Sequence, residues 1–334
     1  MRTFRKNIIF TRTPLKGYFR YKDIFQIYPA ELESMPKSKF QEHHPVILEY
    51  WTDEKEIIET SDEIKDFSDI FFDAATTINK VDSILGLLSV FTNNLFFRYY
   101  DSTGMWGMPV LKDEIEEENN LWSSKWNFPF FHWPELPKQM VINEFTKLEI
   151  PEVKYVKHFD YYSNNPNFDY KVIDEITFPN TITSVLNSYY SKTPEIQSII
   201  DTAISFSYTA MELRPIKKTV SLLSSFTSLE TMVNLEFRDF KTKNCEKCGQ
   251  PQYKIAEKFR DFLFKYIGKG EENRNIFNSY YSIRSKIVHT GQRLKTEKLF
   301  SNIPKKEKDK EFLNHIEILQ LGKLSIIHWL IRNK

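Results

Sequence analysis

Arg284 and His289 fall five residues apart in the run Tyr280-Tyr281-Ser282-Ile283-Arg284-Ser285-Lys286-Ile287-Val288-His289-Thr290-Gly291. A histidine titrates near neutral pH, so it can take a proton from a ribose 2′-OH or give one to a leaving 5′-oxygen. An arginine can hold a phosphate while charge builds on it. RNA cleavage by such a pair needs no metal, because the 2′-OH is a nucleophile carried by the substrate. A plainer reading fits the same residues: a helix-terminal histidine that caps carbonyls, and an arginine in a surface ion pair. Spacing sets a limit on either. On an ideal helix, five residues turn two Cβ directions apart by about 140°. A departure at the helix end, the reach of the Arg side chain, or the same helix in a partner would have to close that gap.

The element that carries these residues reads as a helix over residues 273–288. Ile276, Tyr280, Ile283 and Ile287 form one stripe and face a bundle. Phe277, Tyr281, Arg284, Ser285, Val288 and His289 fall on a second arc, where a merely exposed helix would carry Lys and Glu. That arc predicts a second contact, either a cleft or a partner subunit. A symmetric dimer about this helix brings two Arg284/His289 pairs together.

Cys245 and Cys248, followed by Gly249, have the spacing of half a zinc knuckle. The chain has only these two cysteines. A structural zinc would therefore need a histidine or a second subunit to complete its ligands, and an ordinary reduced pair is the alternative. Two cysteines also exclude a disulfide framework.

Around these candidates the expected fold class is mainly α. Residues 191–334 predict a bundle of about five helices. Thr193-Pro194-Glu195 supplies an N-cap with Pro at the first helical position. Ile196, Ile199, Ile200, Ala203 and Phe206 start its apolar stripe, and Pro215 separates it from the next helix. A third helix ends near Gly268, and a last one runs over residues 309–332 with Phe312, Ile316, Leu319 and Ile327 inward. Residues 1–190 predict a mixed α+β domain of unassigned role, a sensor or target-recognition part. Its strands are residues 46–51 and 154–159, and one helix covers residues 62–97, with Gly86 as a bend or break. Trp106, Trp122, Trp126 and Trp133 crowd one stretch with an acidic run at residues 113–118. They read either as a stacking platform or as aromatic loops over a core.

The chain of 334 residues has 46 Lys+Arg and 45 Asp+Glu, a net charge of +1. That balance hides an asymmetry. Residues 238–310 hold 19 Lys+Arg against 9 Asp+Glu, and the remainder holds 27 against 36. The basic part includes Arg284, Lys286 and Arg293 and suits phosphate neutralisation. The acidic remainder is expected to shield it until a trigger acts. Only 9 Gly argue against Gly-rich phosphate loops. The start of the chain lacks a secretory pattern, and the longest uncharged apolar stretch, residues 83–97, is shorter than the ~20 residues that span a bilayer. A soluble protein of a reducing, cytoplasmic compartment with no membrane partner is expected.

Residues 226–291 resemble the HEPN superfamily, in particular its ApeA-like branch. The resemblance rests on Ser228-Leu229-Glu230, the loop Cys245-Glu246-Lys247-Cys248-Gly249-Gln250, the helix start Ile255-Ala256-Glu257-Lys258-Phe259, and Arg284 to His289 as the Arg-x4–6-His signature. It extends over roughly the C-terminal 140 residues. It implies a HEPN-like helical bundle that forms a homodimer through the motif helices. It also implies metal-independent endoribonuclease activity that leaves 2′,3′-cyclic phosphate ends. RNA, often tRNA, is the implied substrate, anti-phage defence or a toxin–antitoxin system the implied setting, and a trigger or antitoxin the implied partner. Arg284 and His289 would be catalytic. Tyr281, Ser285, Lys286 and Arg293 would be auxiliary or RNA-binding, and Glu230 either auxiliary or an ordinary surface Glu. No cofactor is required on this view, with zinc at Cys245 and Cys248 as a structural addition. The residue after the Arg, often Asn, Asp or His in the family, is Ser285 here. The alternative function is a non-catalytic RNA-, nucleotide- or protein-binding module.

Overall fold

A computed structural model describes residues 2–30, 44–53, 62–98, 141–164, 174–240, 243–244, 251–252, 254–297 and 302–334. The chain is mainly helical, with strands toward the N-terminus and helices toward the C-terminus. It divides into two compact units whose segments alternate along the sequence. One is Met1–Leu88, Asn94–Lys157 and Phe168–Asn180; the other is Ser89–Asn93, His158–Asn167 and Thr181–Lys334.

The first unit is built on an antiparallel sheet of β1 (Arg2–Thr11), β2 (Phe19–Tyr21), β3 (Phe25–Pro29), β4 (His44–Asp53), β5 (Phe96–Phe97) and β6 (Val141–Ile142). The order is β2-β3-β4-β1-β5, and β6 pairs with the other end of β1. Ile8, Ile9 and Phe10 are all buried, as are Val46, Ile47, Leu48 and Tyr50. Both faces of the central strands are therefore covered, and the alternation of a half-exposed strand is lost. Buried Glu49 in β4 accepts hydrogen bonds from Gln26 Nε2 (2.6 Å), Tyr28 OH (2.7 Å), Thr146 N (2.9 Å) and Thr146 Oγ1 (2.6 Å). Lys6 Nζ lies 3.2 Å away. Burial pushes this carboxyl upward, but the bonds from Thr146, Tyr28 and Gln26 outweigh it and hold it below its ordinary range. Glu49 thereby fastens the segment around Thr146 to the sheet.

Helix α1 (Asp62–Thr92) runs through Gly86 without interruption. The expected strand over residues 154–159 shrinks to β7 (Tyr155–Val156), which pairs in parallel with β8 (Phe178–Pro179). His158 instead opens helix α2 (His158–Asn164). Gly17 has a steric reason to be glycine: a Cβ there would sit 2.7 Å from the backbone of Glu152, beside the parallel bridge between Tyr18 and Glu152.

The second unit contains α2, α3 (Ile182–Tyr190), α4 (Pro194–Leu213), α5 (Lys218–Glu236), the small pair β9 (Lys243–Asn244) and β10 (Pro251–Gln252), α6 (Ile255–Tyr266), α7 (Glu271–Thr290) and α8 (Lys305–Arg332). The five long C-terminal helices are those the apolar periodicity predicts. Thr193 is the N-cap of α4 and Pro194 begins it. Helix α5 is central and packs on α4, α6, α7 and α8. It is buried nearly all round, and its buried serines bond across the interface. Ser228 Oγ donates to Ala203 O (2.7 Å) and lies 2.8 Å from Ser207 Oγ; Ser221 Oγ donates to Ala210 O (2.6 Å). Among the described residues, no helix is long and apolar enough to cross a membrane.

Candidate functional site

Helix α7 positions Arg284 and His289. It begins after Gly270 and stops where Gly291 takes a left-handed conformation (φ 64°), a shape that favours glycine. The Gly291 N–H donates to Ile287 O (3.0 Å), and Thr290 Oγ1 donates to Lys286 O (2.5 Å). The last turn is therefore well tied, and His289 stands within the helix. No end distortion relieves the angular gap between it and Arg284.

Phe277, Tyr280 and Ile287 are the buried residues of α7, with Ile276, Ile283 and Arg284 half-buried. Phe277 stacks on Phe264 of α6, with ring centroids 5.7 Å apart. Tyr281 packs on Phe259 of the same helix, also at 5.7 Å. This corrects the expected second face. Two of its aromatics belong to the chain's own bundle, because the buried arc is centred between the two arcs of the helical wheel. What remains outward is Val288, 48% exposed, with exposed His289 and half-buried Ser285.

Arg284 meets Glu230, which projects from α5. Nη2 donates to Oε2 at 3.0 Å, and Nε lies 2.7 Å from Oε1. Oε1 is buried and accepts no hydrogen bond, so the Nε contact is an ion pair whose N–H is misaligned. The two side chains are 23% and 24% exposed, between a surface pair and a buried one. Glu230 is thus neither an isolated surface residue nor remote from the motif. His289, Lys286 and Arg293 are exposed and engage no ion pair or side-chain hydrogen bond among the described residues. The structure brings Arg284 and Glu230 together; among the described residues it leaves His289 on the last turn without a partner, capping no carbonyl.

Tyr280, one turn before Arg284, donates its hydroxyl to Glu317 of α8. Burial first, and then Glu317, push this phenol well above its ordinary range. Glu317 also borders a cleft of about 530 Å³ along the start of α8 that Lys305, Lys306 and Lys310 line. One flanking cation is already neutralised: Lys295 Nζ pairs with Glu307 at 2.6 Å.

Several polar pairs in the same unit, buried or half-buried, escaped sequence reasoning. His315 of α8 is buried, whereas Phe312, expected inward, is 41% exposed. Ser221 spends its hydroxyl proton on Ala210 O, so its oxygen accepts from His315 Nε2 at 2.9 Å. Burial, then Arg214 and Lys218, hold the His315 imidazole down at about 3. Buried Lys323 donates to Asn93 Oδ1, and burial followed by Arg214 keeps it well below the ordinary lysine range. His158 and His328 face each other through Nε2 at 3.0 Å. His328 Nδ1 donates to Tyr266 O (2.7 Å), and His158 Nδ1 contacts Thr181 Oγ1 (2.8 Å). A buried His or Lys on a helix reads as a break in the stripe, so no sequence signal marks these pairs.

Cys245 and Cys248 lie outside the described residues, as do Trp106, Trp122, Trp126, Trp133 and the acidic run. Among the described residues, no group of His, Cys, Asp and Glu has the arrangement to hold a metal ion. No protein-family model, curated protein or solved structure matches the chain.

Proposed function

We propose that the protein is a metal-independent endoribonuclease of HEPN type that cuts RNA, tRNA among the candidate substrates, in anti-phage defence or a toxin–antitoxin system. One observation carries the reading. Helix α7 holds a half-buried Arg284, fixed by Glu230, and on its last turn presents an exposed His289 that nothing among the described residues engages. The resemblance of residues 226–291 to the HEPN superfamily and the basic character of residues 238–310 support it.

In this mechanism the 2′-oxygen attacks the adjacent phosphorus while the P–O5′ bond breaks. The products are a 2′,3′-cyclic phosphate and a 5′-hydroxyl. His289 takes the 2′-OH proton, and a protonated imidazole returns one to the 5′-oxygen. Arg284 binds the non-bridging oxygens through the N–H groups that Glu230 leaves free. Each chain offers one such histidine on α7. A homodimer across the Val288–His289 face would supply a base and an acid together and would close the angular gap.

The test is end-mapping of RNA cut by wild type, Arg284→Ala and His289→Ala in the presence of EDTA. Cyclic phosphate ends with wild type and none with either variant are expected. Equal cleavage by all three, or loss of wild-type cleavage in EDTA, would sink the assignment. The Arg284–Glu230 pair also favours a second reading, a non-catalytic RNA-binding module in which the arginine is structural. Wild-type protein that shifts RNA yet never cuts it, from mildly acid to alkaline pH, would select that one.

A further inference from the structure

We propose that a cleft at the opposite end of α7 from His289 is a second contact for the phosphodiester backbone of RNA. This rests on the RNA-cleaving reading above but concerns different residues. The cleft has a volume of about 1080 Å³, and its walls come from α6, the link to α7, the first turn of α7 and the end of α8. Five cations line it: Arg260, Lys265, Lys269, Arg274 and Arg332, against Asp261 and Glu271.

These cations divide into a held set and a free pair. Lys265 pairs with Glu236 at 2.5 Å, Arg332 donates to Lys265 O, and Arg260 Nη1 donates to Asn278 Oδ1 at 3.4 Å. Lys269 and Arg274 are exposed and engage no ion pair or side-chain hydrogen bond among the described residues. Gly268 and Gly270 leave the mouth open, since a Cβ at either would meet only the Asn273 amide, at 3.5 and 3.9 Å. The N-terminus of α7 opens there with no side-chain cap on its first N–H groups among the described residues, but Glu271 and Glu272 in its first turn offset its partial positive charge, so the pull on an anion comes from Lys269 and Arg274.

A polymer suits this layout better than a small anion. Arg274 and His289 lie on one helix, fifteen residues and therefore roughly 22 Å apart along its axis. A polynucleotide can touch both places, with its phosphates on Lys269 and Arg274 and its scissile bond at the motif. An inorganic phosphate or one nucleotide reaches only one.

The experiment measures binding of a labelled RNA hairpin to the full chain by anisotropy across a salt series, beside cleavage of the same RNA. The proteins are wild type, the double variant Lys269→Ala/Arg274→Ala, and His289→Ala. The double variant should bind roughly tenfold more weakly, with a salt slope reduced by about 1.4–1.8 for two lost phosphate contacts. His289→Ala should bind like wild type and cut nothing. Wild-type affinity and salt slope in the double variant, wild type that does not bind the RNA, or polyglutamate competing as strongly as RNA would overturn the cleft. Binding that depends on Lys269 and Arg274 but is never followed by cleavage would uphold the cleft and remove the nuclease reading instead.

Discussion

Glu230 approaches Arg284 along one edge of the guanidinium, with Oε2 on Nη2 at 3.0 Å and Oε1 beside Nε at 2.7 Å. A carboxylate hydrogen-bonded at Nη2 and ion-paired beside Nε restrains an arginine and leaves its remaining N–H groups to a ligand. Glu230 is therefore a positioning residue for the proposed chemistry. Glu230→Gln keeps the shape and removes the charge. It should lower kcat for RNA by roughly tenfold with little change in KM, because orientation acts on the transition state. Glu230→Ala should in addition cost about 1–2 kcal/mol of stability, between the values for exposed and buried pairs. A kcat at or above that of wild type in Glu230→Gln would show that Glu230 competes with phosphate and does not orient the arginine.

The proposed dimer makes a second prediction. Val288 is the exposed apolar residue next to His289. Val288→Asp places a charge in that face without disturbing the core of α7. The mass in solution should fall from two chains to one, and RNA cleavage should fall with it. Monomeric wild type with full activity would refute the two-histidine mechanism.

Buried His315 predicts an acid sensitivity of the fold. Its folded value is about 3, while the unfolded chain titrates near 6.5. Between the two the unfolded state holds the extra proton, so stability rises with pH over that window and is lost as pH falls through it. The slope from this one group is about 1.4 kcal/mol per pH unit. Arg214 and Lys218, which face it, push in the same direction. Urea unfolding at several pH values should show a shallower loss for His315→Gln than for wild type; parallel curves would exclude His315 as the cause.

Gly322 predicts a gain. It lies inside α8, where a Cβ would meet its nearest neighbours, Ser207 Oγ and Ser225 O, at 3.7 Å, an ordinary contact. Gly322→Ala should therefore stabilise the protein by about 0.5–1 kcal/mol through helix propensity. Gly322→Leu should destabilise by about 1–3 kcal/mol, since the serine-lined interface has no room for more. Denaturant midpoints of both variants check the pair.

The long helices of the second unit were legible because each repeats apolar residues over three or more turns and carries its own boundary signals, Thr193-Pro194 at one start and Gly291 at one end. The β1 strand was not. Ile8, Ile9 and Phe10 are consecutive, and a strand buried on both faces shows no period of two. The wheel of α7 placed Phe277 outward because Ile276 and Ile283 pulled the apparent centre of the stripe away from it; packing on Phe264 decides otherwise. At the site, spacing along the chain singled out Arg284 and His289. The contact with Glu230 spans 54 residues, and no local pattern records it.

The alternation of the two units along the chain has a practical consequence for anyone who would take the protein apart. Asn93, which meets Lys323, and His158, which meets His328, both precede residue 190 yet belong to the helical unit. A fragment that starts at residue 191 would lose the Asn93 contact of the buried Lys323 amine and the His158 counterpart of the His328 imidazole. Any change in its activity would then mix lost regulation with damaged folding. The helical unit has to be interrogated by point substitution inside the intact chain, because no single cut releases it whole.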